Sequence, residues 1–297
     1  MSNAQNTDMT TIAGIPGRTT RQDEPSGAAH WSPPAPRRAR APRMAGVLLL
    51  LGVAAFALLG PWLIGIDPAR QTLSRFLETP SLSHPLGLDH LGRSMLARLA
   101  DATRLSLSMA FLSVVSAALP GTALGLLAAW HGGWPERMLT ALADAVLALP
   151  GLLLVLLLAA FAPGQFWPLY VGISLALWVE YFRVVRAAAA IQLAGPQVEA
   201  SRLLGFGASY IVRRHLLPEL LPRVATLMRF GYAGAVLAMA ALGFIGVGLQ
   251  PPTAELGVMM IELLPYYSEA PWLIGAPVAI LFATLLGLIL VGRGDEK

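Results

Sequence analysis

The chain has 297 residues, of which 56% are hydrophobic and 13% are charged, and its mean hydropathy is +0.63. Globular domains are typically about 45–50% apolar and about 25% charged, so this composition excludes a disordered or fibrous protein and indicates an integral membrane protein. There is no cysteine and the single lysine is Lys297, which excludes a thiolate metal site and a GxxxxGK[ST] phosphate loop. The net charge of +4 would suit nucleic acid, but the placement of the arginines favours the cytoplasmic face of a membrane.

The N-terminal segment 1–43 is polar and rich in Ser, Thr, Pro and Gly, which predicts a disordered tail. It ends in four arginines: Arg37, Arg38, Arg40 and Arg43. A secretory signal is the alternative, but the tail is too long for the charged region of a signal, and no small-residue cleavage site follows. We therefore interpret the arginines as a positive flank that stays in the cytoplasm.

Six apolar stretches follow, each close to the ~20 residues that cross the hydrocarbon layer. They cover residues 44–66, 105–130, 139–161, 168–185, 227–249 and 272–291. Tryptophans, which favour the membrane interface, lie near their ends: Trp62, Trp130, Trp134, Trp167 and Trp272. The sequence therefore predicts an all-α integral membrane protein with six transmembrane helices and both termini on one side.

Glycines recur inside these stretches, which predicts close helix packing. Gly121 and Gly125 have GxxxG spacing, and a second series follows at Gly231, Gly234, Gly243, Gly246 and Gly248. No predicted strand precedes either series and the spacing is not GxGxxG, so a dinucleotide site is disfavoured.

The charges between the stretches set the expected orientation. Segment 186–226 is rich in arginine, whereas segment 250–271 contains three glutamates and no basic residue. The positive-inside rule then places the tail and segment 186–226 in the cytoplasm, and segments 67–104 and 250–271 outside. The five arginines of segment 67–104 are nearly balanced by four acids, so they do not overturn this orientation.

The cytoplasmic stretch 197–218 predicts a helix–turn–helix. Its first half reads as a short helix with Glu199 and Arg202 on one face, and Gly205 and Gly207 then break it. An amphipathic helix follows, for which Pro218 marks the expected end. Physical reasoning alone leaves two interpretations open: a rigid knob that binds a partner, or a connector lying in the membrane plane.

The residues Glu199-Ala200-Ser201, Gly205 and Leu217-Pro218 resemble, in order and spacing, the EAA loop of ABC-importer permeases. The third position is Ser in place of the usual Ala. The resemblance implies that this loop is a coupling helix, which docks into a groove on a cytoplasmic ATPase. It assigns ATPase coupling to Glu199, Ala200, Ser201, Gly205, Leu217 and Pro218.

Further blocks extend the resemblance over residues 44–291. Segments 84–93 and 102–107 are similar to the "HPLGTDxxGRD…AR.SL" block of the second permease of dipeptide, oligopeptide and nickel importers, with Leu88 for Thr and Ser94 for Asp. Segment 243–259 resembles "FLGLGVQPPTPSWGAM", whereas the family's C-terminal ending is replaced in segment 292–297. The words Asp89–Arg93 and Pro252–Glu255 look slightly nearer to the nickel or metal-chelate branch.

Several isolated residues have competing interpretations. Asp144 in the third stretch must face the bundle or the interface, where it either pairs structurally or lines the translocation path, for which Met228 is a second candidate. Glu180 and Arg183 predict an ion pair, and Pro150 and Pro163 bracket a segment expected to bend. His84 and His90 share no helix face and have no HExxH or Cys companion, so no metal site is expected.

The resemblance implies an importer subunit without its own ATPase site, which forms half of a pathway for peptides, nickel or a metal chelate. No cofactor is expected in this chain, because ATP and Mg would be bound by one or two cytoplasmic ATPase subunits. The other implied partners are a homologous second permease, an extracytoplasmic substrate-binding protein and the lipid of a bacterial inner membrane. The alternative functions are a self-contained secondary carrier or channel, which usually has embedded ionisable pairs and inverted repeats, and a non-transporting scaffold.

Overall fold

The computed structural model describes residues 40–292, in which every regular element is a helix. The long helices are α1 (Arg40–Ile64), α2 (Met95–His131), α3 (Gly133–Leu147), α4 (Gly151–Phe161), α5 (Phe166–Leu193), α8 (Leu217–Phe244) and α10 (Pro271–Gly292). The short helices are α6 (Pro196–Leu203), α7 (Ala208–Ile211) and α9 (Leu256–Leu263). Residues 1–39 of the predicted N-terminal tail lie outside the described residues, and so do residues 293–297 at the C-terminal end. Residues 40–43, the last four of the predicted tail, belong to α1.

Five helices of the described part are long and apolar enough to cross a membrane: Ala41–Ile64, Met95–His131, Phe166–Leu193, Ala208–Phe244 and Pro271–Gly292. The pair α3 and α4 passes the same test together, although it is bent by 77°. Counting that pair as one span gives the six spans that the sequence predicts, and the all-α membrane fold is confirmed.

The third span is broken where the sequence predicts a bend. Pro150 immediately precedes α4, and its φ of −54° and ψ of 133° are extended rather than helical. A proline has no N–H to donate, so it suits the start of a helix better than its interior. Pro163 lies beyond the C-terminal end of α4. The two prolines therefore enclose one short helix that leaves the direction of α3.

Helix α2 begins ten residues earlier than the apolar stretch that predicted it. Ser94 caps its first turn by accepting the N–H of Ala97 at 3.5 Å. Arg104 and Asp101 pair on its surface at 2.7 Å, which allows charged residues to continue the helix beyond the hydrocarbon layer. At 1.5 Å per residue, the 37 residues of α2 extend about 55 Å, well beyond the ~30 Å apolar layer.

The glycines of the GxxxG pair lie where α2 packs against α5, as predicted. A Cβ atom at Gly121 would lie 2.7 Å from the Trp178 carbonyl, and one at Gly125 would lie 2.7 Å from the Phe182 carbonyl. A methyl group at either position would force the helices apart. In the later series, Gly231 closely approaches the Tyr181 hydroxyl, whereas a Cβ at Gly234 would meet open space.

Candidate functional site

The predicted coupling loop forms a compact hairpin between α5 and α8. Helix α6 starts at Pro196, whose fixed φ suits a first helical turn, and α7 follows after the segment 204–207. Val198, Ile211 and Leu216 are buried, and Leu216 belongs to the main apolar core of the bundle. The helix–turn–helix architecture predicted for this stretch is confirmed.

The turn after α6 is a Schellman motif centred on Gly205. The N–H of Phe206 donates to the Ser201 carbonyl and the N–H of Gly205 donates to the Arg202 carbonyl, each at 3.0 Å. Gly205 has a φ of +82°, a conformation that L-residues rarely adopt, and a Cβ there would meet no atom within 4 Å. The glycine is therefore required by the backbone and not by crowding.

Of the predicted coupling residues Glu199, Ala200 and Ser201, only Ser201 is buried. Its hydroxyl donates to the Gln197 carbonyl at 2.9 Å and lies 2.9 Å from Nε2 of His215, beyond the turn. Glu199 and Ala200 are exposed on the opposite side of α6. Glu199 and Arg202 are predicted to share one face of α6, but they do not form an ion pair. Instead, the guanidinium carbon of Arg202 lies 5.8 Å from the centre of the Trp130 ring at the end of α2.

The prediction that Pro218 ends the second helix is wrong. Helix α7 continues through a π-helical turn (Val212–Leu216) directly into α8, which gives one helix from Ala208 to Phe244. In the wider turn the N–H of Leu217 donates to the Val212 carbonyl, five residues back. Pro218 follows in the first turn of α8. Proline has no backbone N–H, which is tolerated in the first turn of a helix. Leu217 is partly buried, and it lines a cleft with Trp130 of α2.

The outer surface of the hairpin carries several exposed apolar side chains. Leu203 is 84% exposed and Leu204 is 76% exposed, and Phe206 and Tyr210 stack with ring centres 4.1 Å apart. Exposed apolar residues that lie close together commonly mark a protein contact. We name Leu203, Leu204 and Phe206 the coupling surface.

The two path candidates lie away from the hairpin. Asp144 of α3 accepts a hydrogen bond from Arg183 of α5, and a second bond of 2.5 Å joins Glu136 to Arg186 of the same two helices. The predicted pair of Arg183 with Glu180 is therefore wrong, because the Arg183 guanidinium reaches across to Asp144 of α3. Met228 is partly buried against the core from α8. The two candidates thus lie on different helices, Asp144 on α3 and Met228 on α8.

Comparison with known proteins identifies the family. Residues 121–293, more than half of the chain, match the family described as binding-protein-dependent transport system inner membrane component. The chain belongs to this family. It is 34% identical over 258 residues to the di/tripeptide transport system permease protein DppC of Pseudomonas aeruginosa, with 84% of this chain and 85% of that protein covered. It is 30% identical over 255 residues to the dipeptide transport system permease protein DppC of Haemophilus influenzae, with 84% and 86% covered.

Solved structures with the same fold come from the inward-facing MetNI methionine ABC transporter. Two crystal forms give TM-scores of 0.52 and 0.53 at 22% and 21% identity. They cover 67% and 68% of this chain and 95% of the transporter chain. The chain is thus an ABC-importer permease subunit and a multi-pass inner membrane protein, and the family favours this function over a self-contained carrier or channel.

The permease also contains a buried ionic cluster that sequence reasoning missed. Oδ2 of Asp89 accepts hydrogen bonds from Nε of Arg93 and Nη1 of Arg98, each at 2.6 Å, and Arg98 also pairs with Glu262. Asp89 and Arg98 are 0% exposed and Arg93 is 1% exposed. The cluster fastens the α1–α2 loop (residues 65–94) to α2 and to the last turn of α9.

The electrostatics of this cluster favour the ionised carboxylate. Burial by itself would raise the pKa of Asp89. The N–H groups of Arg93 and Leu91 and the two guanidinium groups outweigh it, so the pKa of Asp89 is lowered. The pKa of neighbouring His90 is also lowered, chiefly by burial, and its ring stacks on Tyr266 with centres 5.1 Å apart.

A second buried acid connects α9 to α2. Glu255 is 2% exposed, and it caps α9 by accepting the Val258 N–H at 2.9 Å. Its other oxygen accepts the Ser106 hydroxyl of α2 at 3.1 Å. As for metals, no group of three potential His, Asp or Glu ligands is found within residues 40–292.

Proposed function

We propose that this permease forms half of a translocation pathway for peptides, together with a homologous second permease. The relatives support peptides, because the two described above are named as di/tripeptide and dipeptide permeases. A putative peptide permease of Brucella suis is also 30% identical over 249 residues, with 84% of each chain covered. An extracytoplasmic binding protein would deliver the substrate to the face formed by the α1–α2 loop and α9.

The observation that carries the coupling proposal is the coupling surface on a rigid support. Leu203, Leu204 and Phe206 lie on a helix and turn that are closed by the Schellman hydrogen bonds. On the other side of α6, Val198 and Ser201 are buried. Apolar side chains held in this way suit insertion into a pocket of a protein partner. That partner is one or two cytoplasmic ATPase subunits, which would bind ATP and Mg, and the tail preceding α1 would lie on the same side.

The continuous helix from Ala208 to Phe244 provides a mechanical connection into the membrane. Its 37 residues extend about 55 Å, so displacement of the hairpin by closing ATPases would move α8 as a lever. The bundle would then alternate between inward-facing and outward-facing states. Changing a two-state ratio from 1:99 to 99:1 requires about 5.5 kcal/mol, which ATP-driven closure of the ATPases is expected to supply.

Asp144 and Met228 remain our candidates for the pathway. Asp144 and Arg183 are 56% and 47% exposed, respectively, although they lie on helices that cross the membrane. Exposed charges avoid hydrocarbon, so this part of α3 and α5 is expected to face water or the second permease.

Replacing Leu203 with serine tests the coupling surface. We expect the purified permease to retain its thermal stability, because the side chain is 84% exposed, but to lose most of the co-purifying ATPase. Leu82→Ser is the matched control, since Leu82 is fully exposed in the α1–α2 loop on the other side of the bilayer. The measurement is ATPase recovered per permease after affinity purification in mild detergent. Equal ATPase recovery from both variants would refute docking at this surface.

A further inference from the structure

A single polar contact joins the two halves of the hairpin. Ser201 of α6 and His215 of the π-helical turn are 14 residues apart in sequence, and Oγ lies 2.9 Å from Nε2. Ser201 is 7% exposed, so little water competes for its hydroxyl. The usual residue at this position of the EAA loop is alanine, which cannot form such a contact.

The direction of this hydrogen bond follows from the number of hydrogens that Ser201 can donate. A serine hydroxyl has one hydrogen, and that of Ser201 is donated to the Gln197 carbonyl at 2.9 Å. With that hydrogen engaged, we assign Nε2–H of His215 as the donor and Oγ as the acceptor, which corresponds to a ring protonated at Nε2.

The His215 ring also contacts the turn through aromatic side chains. It meets Tyr210 edge-on with ring centres 6.0 Å apart, and Tyr210 stacks on Phe206 of the coupling surface. Apolar contacts alone are non-directional, so buried residues such as Val198 and Ile211 permit small displacements of α6. A hydrogen bond adds a directional restraint on the angle between α6 and α8.

We propose that His215 is a positioning residue for coupling, acting through Ser201 to hold α6 in fixed register with the lever helix α8. The proposal rests on the function proposed above. When the ATPases move the coupling surface, the Ser201–His215 bond makes the π-helical turn follow instead of letting α6 slide. Its loss reduces, for each ATPase bound, the movement that reaches the opposite side of the bundle.

The test uses a single reporter cysteine, which is convenient because the chain has none of its own. Leu264, which is 46% exposed beyond α9, is replaced by cysteine in the assembly purified with its own ATPases and second permease. The rate of maleimide labelling is measured with and without ATP plus vanadate, alongside ATP hydrolysis. The variants are Ser201→Ala, His215→Leu, the double variant, and His215→Gln, which keeps an N–H donor.

Each single loss of the bond is expected to reduce the ATP-dependent labelling change, taken per recovered ATPase and per ATP hydrolysed, by about 2- to 12-fold, the range for one hydrogen bond. The double variant should be no worse than either single variant, and His215→Gln should respond like the parent. His131→Leu is the control, since the His131 ring contacts only the Leu127 carbonyl of its own helix among its hydrogen bonds.

Unchanged labelling in both single variants, or multiplied losses in the double variant, would overturn the positioning role alone. A parent assembly that retains no ATPase, or shows no response to ATP plus vanadate, would overturn the coupling function and this role with it. Aggregation of His215→Leu would not remove the test, because Ser201→Ala restores the family's usual residue and is expected to fold.

Discussion

Replacing Arg98 with methionine is expected to destabilise the permease by about 3–5 kcal/mol, the cost of breaking a buried ionic cluster from one side. The cluster contains two acids, Asp89 and Glu262, and two bases, Arg93 and Arg98. Removing one base leaves an uncompensated negative charge, and little water can solvate it, because Asp89 is fully buried and Glu262 is only 12% exposed. The measurement is reversible unfolding of the purified chain in mixed detergent and SDS micelles.

Arg104→Met provides the matched control on the same helix. Arg104 is 47% exposed and pairs with Asp101 at the surface, where an ion pair contributes only about 0–1 kcal/mol. A second comparison is the double variant Arg98→Met/Glu262→Gln, which restores the charge balance and should recover part of the lost stability. Equal destabilisation by Arg98→Met and Arg104→Met would show that the cluster has no special role.

The cluster also shows where sequence reasoning reached its limit. Hydropathy located all six spans, because ~20 apolar residues have few alternatives to crossing the bilayer. Hydropathy alone assigns the charge-bearing segment 95–104 to a loop, so the predicted start of α2 lies ten residues too late. The bonds from Arg98 to Glu262 join residues 164 positions apart, and one sequence holds no periodicity that reports such a contact.

The coupling hairpin was predictable to a greater depth, because its determinants are local. Two glycines and the side-chain spacing on either side of them predicted the helix, the turn and the second helix, all within 22 residues. The continuation through Pro218 was missed because the rule that proline ends a helix assumes α-helical geometry on its N-terminal side. A π-helical turn precedes this proline, and only the structure reveals it.

Replacing Gly205 with valine is expected to have the largest effect on coupling. The φ of +82° at Gly205 is a genuine outlier for a β-branched residue, and an L-residue there costs at least about 1–2 kcal/mol. That energy corresponds to a 5- to 30-fold decrease in the population of the intact turn. Because Gly205 and Phe206 close the Schellman motif, the coupling surface would lose its fixed orientation.

Gly207→Val separates backbone conformation from the size of the side chain. Gly207 lies two residues away, and a Cβ there also meets no atom within 4 Å, but its φ of −75° and ψ of 169° suit valine. Neither glycine provides a side-chain cap, so both substitutions add the same atoms to the same open surface. ATPase recovered per permease, and ATP hydrolysis of the reconstituted assembly, should fall at least fivefold for Gly205→Val and stay near the parent value for Gly207→Val. If both variants lose coupling equally, the added bulk is responsible, and the ATPase must approach the whole turn more closely than the coupling surface alone requires.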